Sequence, residues 1–223
     1  MRSTSIFATL LSCCFLFSQS TPCPEVKQDS QKINGRDVTD LGVAQDAKVT
    51  VEVVNSKEGS WTADQVADIG AVATSVKNQP GNTGSVTTTT PTTGQDPSAG
   101  SVSNPIVVVE MATQEAIDTA CKAPAGVHFS ACTNMQIKPS SSNPNVGNIF
   151  FSRILILPSV VADGGLKPLI AHEDSHGIMG AADCDGCANT IANPNTTSTS
   201  PTAPTPCDNE TSKKNWCRCN FKK

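Results

Sequence analysis

Two of the chain's three histidines stand four residues apart, in His172-Glu173-Asp174-Ser175-His176, and that spacing constrains the fold more than anything else in the sequence. On an α-helix, residues i and i+4 lie on one face, so both imidazoles can address a single metal ion only if this stretch is helical. Glu173 then lies beside the metal, placed to take a proton from a water there rather than to bind the ion. The flanks agree with a helix. Asp163-Gly164-Gly165 turns the chain, the helix is read from Lys167 to Gly177, and Gly177 and Gly180 offer exits through positive φ. The plain alternative is a surface helix whose histidines and glutamate carry no special chemistry.

A helix of this kind needs a sheet to lie on, and the upstream sequence supplies one. Lys48 to Val54 alternates and is β-branched, a strand pattern. Trp61 to Asn78 predicts an amphipathic helix, with Val66, Ile69, Ala73 and Val76 on one face and a capping box of Thr62 with Gln65. Asn104 to Glu110 is a buried-strand pattern, and Thr113 to Cys121 allows one or two helical turns. Gly126 to Ser130 and Asn134 to Lys138 read as short strands. Asn148 to Leu157 is the strongest strand, stopped by Pro158. The expected class is α+β, a mixed sheet of mostly short strands with a backing helix and the motif helix.

The domain is expected over 46–187, with residues 80–105, rich in Thr, Gly, Ser and Pro, as a low-complexity loop inside it. Residues 21–45 form a weakly patterned N-terminal segment. Residues 188–223 form a Cys-containing Pro/Thr/Ser-rich tail, too poor in apolar side chains for a core of its own. Two acceptor sequons, Asn195-Thr-Thr and Asn209-Glu-Thr, lie in it.

Residues 1–20 read as a secretory signal peptide: Arg2, then an apolar run from Ile6 to Phe17, then small residues at Ser18 and Ser20. Leu10-Leu11-Ser12 before Cys13 is the competing lipoprotein pattern. Cleavage after Ser20 leaves Cys23, Cys121, Cys132, Cys184, Cys187, Cys207, Cys217 and Cys219, an even set suited to disulfides in a secreted chain. Cys121 with Cys132 is the expected local pair. Cys184-Asp-Gly-Cys187 facing Cys217-Arg-Cys219 would suggest a four-thiolate zinc site in the cytosol, but export favours cross-links to the tail. The net charge is −4, with no basic cluster, which excludes an electrostatic footprint for nucleic acid or a membrane surface.

A catalytic zinc takes three protein ligands and one open position. Asp183, seven residues beyond His176, is read as the third ligand, with Asp185 its rival and Asp208 behind it. Glu210 is the only later glutamate and sits in the tail. His128 reads as a packed or edge residue of a strand. From Leu169 to Asp183 the chain resembles the metzincin branch of the zincin metallopeptidases, whose helix runs H-E-x-x-H-x-x-G-x-x-H and in a few secreted members ends in Asp. The match covers about a dozen residues. Gly180 and Asp183 stand one residue later than in the family, Asp174 replaces an apolar residue, and no methionine follows Met179 to make the family's methionine turn.

The resemblance implies a zincin-like fold and a secreted, monomeric zinc endopeptidase. Zn²⁺ would sit on His172, His176 and Asp183, with Glu173 as general base. A protein or peptide substrate would extend along a sheet edge above the helix, beside Asn148 to Leu157. The competing reading is a non-catalytic, disulfide-rich binding module, or a decayed peptidase that keeps the metal site.

Overall fold

The computed structural model describes residues 31–33, 35–79, 82–93, 99–183, 190–197 and 199–205. The signal segment, Cys23, the Cys184–Cys187 pair with Asp185, and everything from Cys207 onward, including Asp208, Asn209 and Glu210, lie outside them.

Strand β4 (Val49–Asn55) lies inside the central sheet, and its alternate residues Val49, Val51 and Val53 are fully buried. Helix α1 (Ala63–Lys77) follows. Thr62 accepts from the Gln65 amide while the Gln65 side chain accepts from the Thr62 amide, so the expected capping box closes its first turn. Strand β5 (Val86–Thr93) then pairs parallel to β4. The low-complexity stretch is therefore not only loop. Its Val and Thr residues are β-branched, and the exposed edge of β4 provides a template that composition does not report.

Strand β6 (Ile106–Met111) pairs parallel to the other side of β4, and β8 (Val146–Ile156) pairs parallel to β6. Between them come α2 (Gln114–Ala120), capped by Thr113, and β7 (Ala131–Pro139), which runs antiparallel to β8. The short strand expected at Gly126–Ser130 is a turn and loop instead, and Gly126 takes a positive φ there. Upstream, β1 (Gln31–Ile33) and β2 (Arg36–Val38) form a small ladder, and β3 (Asp40–Gly42) adds to β8. Residues before 46 thus join the sheet. The result is a mixed, mostly parallel six-stranded sheet, of order β5-β4-β6-β8 with β3 and β7 both on β8.

Pro158 stops β8, as its missing N–H requires, but opens one short helix, α3 (Pro158–Ala162). Helix α4 (Leu166–Gly177) carries the histidines. It packs with α1 on one sheet face, where Ile69, Val72 and Val76 of α1 and Leu169 and Ile170 of α4 meet Val51, Val109 and Ile154 in one core. On the opposite face, α2 covers Leu155 and Cys132 through Ile117, with Cys121 bonded to Cys132 as expected. No helix among the described residues is long and apolar enough to cross a membrane.

Residues beyond 187 also pack on the core. Thr190, Ile191 and Ala192 are buried, and Ile191 belongs to the main core. One isoleucine in a polar stretch is enough to dock the chain when the neighbouring surface is already apolar.

Candidate metal centre

Helix α4 is not a surface helix. His172, Glu173, Asp174 and Ser175 are all buried, at 6%, 4%, 1% and 0% exposure. Polar side chains are rarely removed from water without partners that compensate them, and the partners here define the site. The Nδ1 of His172 meets the Ile191 carbonyl oxygen at 3.1 Å, and the Nδ1 of His176 meets the Ala181 carbonyl oxygen at 2.7 Å. A carbonyl can only accept, so each Nδ1 carries the proton and donates it. When neutral, each ring therefore turns the lone pair of Nε2 toward the other.

Those two Nε2 atoms stand 3.2 Å apart, and Asp183 Oδ1 lies 3.3 Å from each. Three acceptor atoms so close repel one another unless a cation or a shared proton lies between them. The group of His172, His176 and Asp183 can hold a metal ion. The two helical residues come together because four residues make about one turn. Asp183 arrives by a different route. Gly180, at φ +67°, lets the chain leave the helix and reverse, so that Ala181 reaches back to accept from His176.

The electrostatics agree. Burial alone would pull the His176 pKa down, but Asp183, Glu173 and the Ala181 carbonyl together push it up to about 9. With a proton on either Nε2, the His172 and His176 rings hold the Asp183 carboxyl well below the usual carboxylate range. A field that attracts a proton to this point attracts a metal cation too. Asp174, beneath the helix, is pushed well above the ordinary range by burial and then by the charge of Glu173. Its Oδ2 has no hydrogen-bond partner among the described residues.

His172, Glu173, His176 and Asp183 open onto a cleft of about 620 Å³, lined also by Thr133 and Met135 of β7, by Phe129, and by Pro194 to Thr196. Strand β8 does not border it as a free edge, because β6 occupies one side and β7 the other. The edge at the cleft is β7, which pairs with β8 alone among the described residues. That overturns the expectation for Asn148–Leu157. The strongest apolar run marks the most buried strand, and a strand buried between two others has no edge to offer.

His128 also lines the cleft but stays outside the metal group. It is exposed, and its Nδ1 lies 2.7 Å from Asp118 Oδ2. Sequence reasoning missed Ile191 and Thr133, which carry no motif signature; only their positions in the fold make them partners of the site.

No known relative identifies the site. Compared with known proteins, the chain matches no family model, no curated protein and no solved structure.

Proposed function

We propose that this chain is a secreted, zinc-dependent endopeptidase of zincin type. The observation that carries the reading is the triangle of His172 Nε2, His176 Nε2 and Asp183 Oδ1, with sides of 3.2 to 3.3 Å. Ligand atoms around a tetrahedral zinc, at bonds of about 2.0–2.1 Å, stand about 3.3–3.4 Å apart. Two neutral imidazoles and one carboxylate are also a donor set that zinc favours. Zinc held there would acidify a water and polarise a scissile carbonyl.

The chain's own residues supply the rest. Glu173, next to His172 in the same cleft, accepts the proton of the attacking water and passes it to the departing amine nitrogen. The peptide C–N bond breaks as the new C–O bond forms, so Glu173 ends with the protonation it began with. The carbonyls of Ile191 and Ala181 hold the imidazole rings in the tautomer a metal needs. Strand β7 offers the edge left unpaired among the described residues to an extended peptide, which would lie across the cleft by strand addition. The helix order, the mostly parallel sheet and its single antiparallel strand beside α4 support a zincin-like fold.

The test is metal analysis paired with proteolysis. The purified mature chain is expected to hold about one zinc and to cleave a denatured protein. Glu173→Gln should keep the zinc and lose the cleavage. Zinc retained by a wild type that cleaves nothing would favour a binding module or decayed enzyme instead.

A further inference from the structure

Glu173 is only 4% exposed, yet it has to hold a carboxylate at a defined place and angle. A buried carboxylate with free rotation about its side-chain bonds would be costly and poorly aimed. One neighbour resolves both problems. The Thr133 hydroxyl lies 2.5 Å from Glu173 Oε2 and donates to it, a short charge-assisted contact across 40 residues of sequence. The Glu173 backbone carbonyl is a second, longer acceptor for the same hydroxyl at 3.3 Å.

We propose that Thr133 is a positioning residue for Glu173, and this rests on the peptidase reading. Both branches of the threonine take part. Its methyl group packs at the end of α4, 3.4 Å from where a Cβ on Gly177 would stand. Gly177 is held there in turn, its carbonyl accepting from the buried Ser152 hydroxyl at 2.9 Å. β-branching restricts χ1, and the packed methyl group favours the rotamer that aims the hydroxyl at the carboxylate. With Oε2 occupied, Oε1 is the oxygen left for the attacking water. The edge strand that receives the substrate therefore also orients the base, so backbone register and proton transfer share one residue.

Three variants and two readouts test it. Thr133→Val keeps the branched packing and removes the donor; Thr133→Ser keeps the donor and removes the methyl group. The valine variant should bind zinc like the wild type, with kcat lowered roughly 10- to 100-fold and KM within about twofold. The serine variant should recover most of that loss.

The second readout needs no turnover. Acetohydroxamate chelates an active-site zinc with its hydroxyl beside the base, so its Kd on zinc-loaded protein reports how the carboxylate is aimed. Thr133→Val should weaken it several-fold in the wild type and not further in Glu173→Gln. Equal weakening in both backgrounds, or no rescue by serine, would overturn the role of Thr133. A wild type that binds zinc and hydroxamate with this coupling but cleaves no protein would instead sink the peptidase reading. Protein that takes up no zinc overturns both.

Discussion

Gly180 lies against the backbone of Leu41: a Cβ on it would stand 2.4 Å from the Leu41 carbonyl carbon and oxygen. Its φ of +67° is in the left-handed region as well, so two independent constraints demand glycine at the point where the chain leaves the metal helix. The contact also ties the exit of α4 to β3, whose neighbour Val43 donates its amide to the Ile178 carbonyl at 2.9 Å.

Gly180→Ala should therefore cost more than a left-handed alanine alone, which is roughly 1–2 kcal/mol. It should also weaken zinc binding by shifting Asp183. Gly126→Ala is the control. Gly126 has φ +79° but open space around it, so the same backbone cost should appear with no change in metal affinity. Chemical denaturation and competition with a chelator measure the two effects.

Asp183→Ala removes a proposed ligand and should weaken zinc binding by more than the roughly 10–100-fold typical of losing an outer partner. Ile191→Ala should fall into that smaller range, because a loosened backbone no longer holds His172 Nδ1 at 3.1 Å. The buried Ile191 side chain is also worth roughly 2–5 kcal/mol to the fold. An unchanged melting temperature in Ile191→Ala would show that the segment after residue 187 is not part of the domain.

Lys77 provides a pH signature well away from the metal. It is fully buried, and its Nζ donates to the Ala44 and Gln45 carbonyls and to Asn82 Oδ1 at 3.2, 2.9 and 2.8 Å. Burial lowers its pKa from 10.5 to about 8, with Asp46 partly opposing. Between those values the unfolded chain keeps a proton that the folded chain has released, so this group makes stability rise from pH 8 toward 10.5. Below pH 8 both states are protonated and its contribution is flat. Lys77→Met should melt lower than the wild type overall, with a gap that widens across that window in thermal scans.

Opening the Cys121–Cys132 link should cost about 3 kcal/mol, the loop-closure value for a ring of this size. The same link borders the loop that carries His128 and Phe129 beside the cleft. The double serine variant should lose stability with zinc affinity unchanged, since neither cysteine belongs to the proposed metal group.

Much of the architecture was legible because its signals are local. The capping box of α1, the apolar runs of β4, β6 and β8, and the glycine exit after α4 each depend on residues within a turn or two of one another. Strand β5 was hidden because Thr-rich sequence is equally at home in a loop, and only a partner strand makes it pay to pair. Strand β7 was read too short, and β8 was given the substrate edge. Sheet order depends on crossovers, and no window of sequence contains them.

The metal site divides along the same line. His172 and His176 share a helix face, and Glu173 follows them, because helical geometry is set by the backbone over four residues. The sequence by itself therefore determined the motif, its spacing and the chemistry those side chains can offer. The arrival of Asp183, the carbonyl of Ile191 behind His172 and the hydroxyl of Thr133 on Glu173 were decided only by tertiary structure. Those contacts span 7, 19 and 40 residues, with paths fixed by packing rather than by any local preference.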